Sequence, residues 1–418
     1  MKLRIDHIAK IEGHASFTAD IVQGDVKAAK IKIEEGARLF EGIMKDRRDE
    51  ELPEIAARIC GVCPVVHNLT GFKSIENAYH VEVKEPSLSL RKLIMLGQLI
   101  NSHSLHLFFF SLSDFFGMKS DLQLINAYPE KTHDAVKIRD IGNRLVEIIG
   151  GRSIHPLTPC IGGIRKAPDM NELKQLLNDC QNNLELAINF GELFAKLKYP
   201  DFQRKTTFVS LYHPDEYAIY DGKIKVDKKI MEPEEFFPLI KEVQYNGDVV
   251  KKVYFNSQTY MVGALARLNN HREQLNPQAK ELLEGSKLKF PCYNPFYNIL
   301  AQAVELVHCL EEAIKIMSAL VNQKIEVSEN IITNKMGEGI GVIEAPRGLL
   351  FYKTKIKDGI IENVNIITPT AQNLPNLEAD LEEIEHLGGF DKLNTKEKED
   401  KIKMLIRAYD PCVTCAVH

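Results

Sequence analysis

Two Cys-x-x-Cys pairs stand at opposite ends of this 418-residue chain, Cys60–Cys63 and Cys412–Cys415. Each runs on to a histidine, His67 in the first and the terminal His418 in the second. Chain ends fray unless something ties them down. Two thiols and an imidazole at the extreme end point to a metal as the tie, so the expected fold brings both ends of the chain together on one buried centre. Four thiolates accept zinc, nickel, copper(I) or an iron–sulfur cluster, and the donor set alone leaves these open. A structural zinc site usually staples segments close in sequence within a small domain. A chain this long can bury its own core without one. A site assembled from both ends suits a metal centre loaded as a separate step.

Net charge is -5, with 44% hydrophobic and 27% charged residues. That balance argues against a nucleic-acid surface or a polybasic membrane anchor. The start, MKLRIDHIAKIEGH, has no apolar run of signal-peptide type. The richest apolar run, Leu105 to Phe116, contains Asp114 and is shorter than the roughly 18 residues of a spanning helix. The expected location is therefore the cytoplasm, with no membrane span. In a reducing compartment paired cysteines serve as metal ligands or redox groups rather than disulfides. The four single cysteines, Cys160, Cys180, Cys292 and Cys309, read as small buried apolar residues.

Periodicity predicts an α+β protein: a large, mainly helical body of long helices with peripheral β-sheets. One domain is expected over 1–418. Alternating stretches within residues 3–35 predict strands, with a hairpin turn at Gly24-Asp25. Helices are expected over 37–45, from Glu51 into the first cysteine pair, and over 86–116, 134–149, 171–197, 297–325, 377–387 and 395–408. Residues 203–262 read as a β-rich insert with a hairpin signal at Tyr220-Asp221-Gly222-Lys223, and 338–369 as strands with another at Lys357-Asp358-Gly359. Gly337-Glu338-Gly339-Ile340-Gly341 opens no helix, so it reads as a β-turn rather than a nucleotide loop. Lone histidines such as His271 and His308 read as surface or satisfied core residues.

Arg58-x-Cys60-Gly61-x-Cys63-x-x-x-His67 and Asp410-Pro411-Cys412-x-x-Cys415-x-x-His418 together resemble the two signature motifs of the NiFe hydrogenase large subunit. Further segments are similar: Ile11 to His14, Arg38 to Gly42, His103 to Asp114, Gly263 to Asn269, Ala345 to Gly348, and Thr368 to Thr370. The resemblance implies nickel held by Cys60, Cys63, Cys412 and Cys415. Cys63 and Cys415 would bridge to an iron carrying carbon monoxide and cyanide. It implies that Cys412 is the base that receives the proton and Glu12 the relay carboxylate. It places Arg347 over the open metal position with Asp114 as its charge partner, Pro369 and Thr370 along the cyanides, and His67 as a donor to a cysteine sulfur. A buried magnesium is implied at Glu41, His418 and the Ile366 carbonyl. The family's final cut falls after this histidine, so the chain resembles the processed form. One departure is Lys10, where many members carry arginine before the glutamate.

Thiolates suit nickel and low-spin iron, and splitting dihydrogen requires a base within hydrogen-bond reach. A guanidinium adds donors that keep their protons. Once four cysteines are spent on the centre, no group with cluster spacing remains to take two electrons. The resemblance therefore implies an iron–sulfur small subunit as partner, with flavin or diaphorase subunits beyond it. The absent export signal and the TPTAQN and CAVH forms resemble the cytosolic bidirectional class, which couples dihydrogen to NAD(P), ferredoxin or a deazaflavin. Two other readings stand beside this one: a non-catalytic, zinc-stapled relative in an electron-transfer complex, and a dihydrogen sensor.

Overall fold

The computed structural model describes residues 2–22, 25–325, 327 and 335–418. Its body is built on three long helices. Ser87–Leu105 packs along Pro129–Gly150 and against Asn298–Leu320, which also meets Leu184–Ala195. Leucines and isoleucines recur on these helices at three- and four-residue spacing and are buried. Ser87–Leu105 continues through a wider, π-type stretch, His106–Ser111, into Leu112–Phe115. Ser111 Oγ donates to the His106 and Leu107 carbonyls there, both at 3.0 Å. The stretch Ser87–Phe115 is, contrary to the sequence expectation, long and apolar enough to cross a bilayer by length and composition. The protein's own interior buries 78% of its most apolar window.

Five small sheets lie around the body among the described residues, one of them only Pro159–Cys160 paired with Gly163–Ile164. Lys2–Ile5, Ala15–Val22 and Asp25–Ile33 form the first; Gly24 of the expected hairpin lies outside the described residues. Gly337–Ala345, Gly348–Lys357 and Ile360–Ile367 form a meander. Its Asp358-Gly359 turn has φ of 52° and 73°, the paired positive values that a two-residue hairpin loop requires. In 207–261 a four-stranded sheet combines Thr207–Tyr212, Lys223–Val226 and Lys229–Met231 with a parallel strand, Tyr260–Met261, while Ile240–Val243 and Lys252–Phe255 pair separately.

Tertiary contacts override several local signals. Tyr220-Asp221-Gly222-Lys223 is no hairpin turn. Lys73 Nζ holds the Tyr220 carbonyl and the Asp221 carboxylate at 2.5 and 2.6 Å, so the chain returns by a longer loop. The helix expected over 37–45 is only Phe40–Met44. Leu39 is left-handed, and Arg38 is drawn away by a 2.7 Å bond from its N–H to the Val417 carbonyl. The helix expected over 171–197 breaks at Asn183. That expected over 377–387 starts earlier, at Pro369, which lacks the N–H that a first helical residue does not need.

The glycine run is a strand, not a turn. A Cβ at Gly337, Gly339 or Gly341 would lie 2.1, 2.3 or 2.5 Å from backbone atoms of Ala78, Ala78 and Thr70. The missing side chains let Gly337–Ala345 lie directly on the helix Pro64–Tyr79 that follows Cys63. Gly339→Ala is expected to cost about 1–3 kcal/mol by overpacking, read as a lower denaturant midpoint.

His271 is buried against the Tyr217 ring, and neither of its ring nitrogens has a hydrogen-bond partner among the described residues. Burial pushes its pKa down to about 3. The unfolded value is higher, so the neutral ring's contribution is present above about pH 6.5 and is lost as pH falls toward the folded value. His271→Phe is expected to stabilise by about 1 kcal/mol at pH 7 and by more at pH 5, measured by chemical unfolding at both.

Candidate metal centre

Each cysteine is set by the element beside it. Cys60 is extended after the short turn Ala57–Ile59, and Cys63 caps the helix Pro64–Tyr79. Cys412 caps the terminal turn Val413–Ala416, and Cys415 lies within it. The terminal strand segment is docked beside Glu12, whose carbonyl accepts from Val413 N at 2.8 Å. Asp410, left-handed at φ 49°, turns the chain into this position. All four cysteines are buried.

Their sulfurs lie within 4.8 Å of one another. Cys412 Sγ is 2.8 Å from Cys415 Sγ and 3.5 Å from Cys60 Sγ, and Cys63 Sγ is 3.1 Å from Cys415 Sγ. Sulfurs bound at about 2.3 Å to one tetrahedral ion stand roughly 3.8 Å apart, so this set fits a shared thiolate centre. Hydrogen bonding by the neighbouring thiols, Cys412 first, holds Cys60 well below the ordinary thiol range, whereas burial raises Cys412 and Cys415. Unloaded, the four groups do not ionise alike; a metal cation removes that conflict.

Glu12 Oε2 lies 3.2 Å from Cys412 Sγ. The same oxygen accepts from Thr414 N at 3.3 Å and from the Thr414 hydroxyl. Lys10, the departure in this segment, is left-handed at φ 65°, donates to Ser113 Oγ at 2.7 Å and forms an ion pair with Asp121 Oδ1 at 2.7 Å. It ties this loop to Ser113 and Asp121.

Arg347 is buried, but its partner is not Asp114. Its Nε donates to the Asp410 carbonyl at 2.7 Å and its Nη2 to Asp410 Oδ1 at 2.9 Å. Asp114 instead pairs with Arg407 Nη1 at 2.5 Å, because the helix Thr395–Ala408 brings that guanidinium to the end of Leu112–Phe115. Arg347 Nη1 is buried without a hydrogen-bond partner among the described residues. Thr370 Oγ1 accepts from Cys412 N at 3.0 Å, which leaves its hydroxyl hydrogen to donate, and Pro369 opens the helix that carries it. An orphaned guanidinium edge and a free hydroxyl beside four thiols fit small electron-rich ligands on a metal.

His67 Nδ1 contacts the Tyr352 hydroxyl at 2.7 Å, where donation to a cysteine sulfur was expected. Burial lowers its pKa to about 4, so the ring is neutral at pH 7. Glu41, His418 and Ile366 do meet. His418 Nε2 is 2.9 Å from the Ile366 carbonyl and 3.9 Å from Glu41 Oε1, which accepts from Ile366 N at 2.8 Å. Lys251 Nζ stands 3.5 Å from Glu41 Oε2, so a cation bound there shares that carboxylate with an ammonium.

Sequence reasoning placed Asp410 in the second motif without giving it a partner, and missed Thr414 and Tyr352 as functional neighbours. The first two had a signal: Asp410 lies two residues before Cys412 and Thr414 two after it. Tyr352, on a remote strand, had none.

A buried four-cysteine cluster with a carboxylate against one sulfur fits a protein-held metal centre with a base beside it. The family profile described as nickel-dependent hydrogenase matches residues 38–137 and 219–418, and the chain belongs to that family as its large subunit. It is an oxidoreductase acting on dihydrogen. It is 34% identical to sulfhydrogenase 1 subunit alpha of Pyrococcus furiosus, over 100% of this chain and 98% of that one. It is 26% identical to the NAD-reducing hydrogenase HoxS subunit beta of Cupriavidus necator, over 100% of this chain and 94% of that one. The crystal structure of an NAD+-reducing [NiFe]-hydrogenase in the H2-reduced state superposes with a TM-score of 0.89 at 24% identity, covering 100% of this chain and 99% of the other, a likeness of fold.

Proposed function

We propose that this chain cleaves dihydrogen heterolytically and reversibly, and passes the electrons to an iron–sulfur small subunit and on to NAD(P), ferredoxin or a deazaflavin. The observation that carries this is the 3.2 Å contact between Cys412 Sγ and Glu12 Oε2 inside the four-thiol cluster. A structural zinc clip has no use for it, and a base within hydrogen-bond reach of the proton is what the reaction requires.

Bound here, a nickel–iron centre with carbon monoxide and cyanide on iron supplies the hydride acceptor and the route for two electrons. Cys60 and Cys412 would hold nickel, and Cys63 and Cys415 would serve both metals. Cys412 Sγ takes the proton, and Glu12, steadied by Thr414, receives it. Arg347 offers Nη1 toward the centre while Asp410 holds its other face. Pro369 would line the side that takes the cyanides, and the Thr370 hydroxyl would donate there. His67, neutral and tied to Tyr352, packs behind the thiols. Glu41, His418 and the Ile366 carbonyl would hold a magnesium ion there. Asp114 acts at a distance, fixing Arg407 and through it the last helix. Among the described residues the four cysteines are the one metal-ligating cluster shown, so the electrons pass to the small subunit. The names of the relatives, subunits alpha and beta, support that partner, and resemblance to the bidirectional class supports a cytoplasmic location.

Exchange between D2 and water tests the cleavage without an electron acceptor. The metal-loaded protein is expected to form HD. Absence of exchange with nickel and iron both present would contradict the proposal and favour a non-catalytic role.

A further inference from the structure

Arg267 is fully buried, and each of its five N–H groups has an acceptor. Nε and Nη2 bind Glu305 at 2.6 and 2.7 Å, and Nη1 binds Glu344 at 2.7 Å. The remaining two reach backbone: Nη1 the Ala345 carbonyl and Nη2 the Pro346 carbonyl, both at 3.1 Å. Those are the two peptide units immediately before Arg347. The next carbonyl, that of Arg347 itself, accepts from Asn373 Nδ2 at 3.4 Å. Gly348 follows at φ 125°, where a Cβ would lie 2.4 Å from the Val262 side chain. Three consecutive carbonyls are therefore gripped, and the Arg347 Cα has no freedom to swing.

The two arginines divide the work. Arg267 has no donor to spare, whereas Arg347 keeps Nη1 unpartnered. The grip is itself rigid. Glu305 also accepts from Tyr217 at 2.6 Å and contacts His103 Nε2 at 3.0 Å, and Glu344 accepts from Leu211 N at 2.7 Å. A buried cluster of one guanidinium and two carboxylates is a poor source of stability compared with apolar packing, but it fixes direction well. A guanidinium fork can hold two carboxylates and two adjacent carbonyls at once; an ammonium cannot.

We infer that Arg267 is a positioning residue for the dihydrogen reaction: by gripping the Ala345 and Pro346 carbonyls it aims the Arg347 guanidinium at the metal centre. This rests on the reading that Arg347 serves the centre, so both are tested together.

The test uses the metal-loaded enzyme with its partner subunit and compares Arg267→Lys, Arg347→Lys and Arg91→Lys. Arg91 is an equally buried arginine that pairs with Glu76 at 2.6 Å and binds the Cys160 and Gly163 carbonyls rather than the peptides before Arg347. Arg267→Lys is expected to keep nickel and iron, to displace the cyanide infrared bands, and to lower kcat about 10- to 100-fold with little change in KM, as a small misplacement does. Arg91→Lys is expected to lose stability while its bands and its turnover per nickel stay at wild type. Full turnover in Arg347→Lys removes the underlying reading. Impaired Arg347→Lys alongside an Arg267→Lys with unshifted bands and full turnover overturns the positioning inference alone. If Arg267→Lys does not accumulate, Glu344→Met decides: it removes the carboxylate anchor of Nη1 at similar volume, and unshifted bands there overturn the inference.

Discussion

Cys412→Ala protein is expected to contain no nickel and to oxidise no dihydrogen. Cys412 is where the two halves of the account meet. Its sulfur lies 2.8 Å from Cys415, 3.5 Å from Cys60 and 3.2 Å from Glu12. Removing it leaves three thiolates around a cavity and deletes the atom proposed to take the proton. Metal affinity depends on the full deprotonated donor set, so loss of one ligand is expected to remove the metal rather than weaken one step. The fold itself should persist. The docking of the terminal segment through Val413 N to the Glu12 carbonyl needs no thiol, and Val413 is buried. Metal analysis and dye reduction on the same preparation check this; nickel at wild-type content would remove Cys412 from the ligand set.

Glu12→Gln is expected to do the reverse: full metal, little turnover. The amide preserves length and still offers an oxygen to Thr414, so the geometry around Cys412 is retained. It cannot accept and release a proton in the working range. General acid–base groups contribute about 10²- to 10⁴-fold, and a loss of that size is expected in both D2–water exchange and dye reduction. Infrared bands at wild-type positions would show that the centre is intact. A metal-loaded Glu12→Gln enzyme of full activity would take Glu12 out of the proton route.

The four cysteines were legible because spacing alone marks them. Two pairs, each followed by a histidine, have few meanings in a reducing compartment. Arg347, Glu12 and Thr370 were legible only through resemblance, since an arginine after Pro346 or a glutamate near a strand carries no chemistry of its own. The pairing of charges was not legible. Asp114 and Asp410 are both acids near the expected site. Which one meets Arg347 depends on where the helix Thr395–Ala408 delivers Arg407, and no local pattern encodes that crossing. The long helices were legible from period, because their apolar faces are wide and buried. The short Phe40–Met44 helix was overpredicted because the terminal segment, hundreds of residues away, claims Arg38. The glycine run misled in an instructive way. Alternating glycines look like a turn signal, yet here they make one face of a strand thin enough to lie on the cysteine-bearing helix. The grip of Arg267 on the peptides before Arg347 was equally invisible, since it depends on two carboxylates from separate elements.

The most direct test of the central claim is an infrared spectrum of the purified protein, with nickel and iron measured on the same sample. The account predicts absorption in the region of metal-bound carbonyl and cyanide, with nickel and iron near one to one. A blank spectrum with zinc alone, on carefully handled protein, would contradict it. The four cysteines would then be a structural clip, and the roles given to Cys412, Glu12 and Arg347 would fall with it.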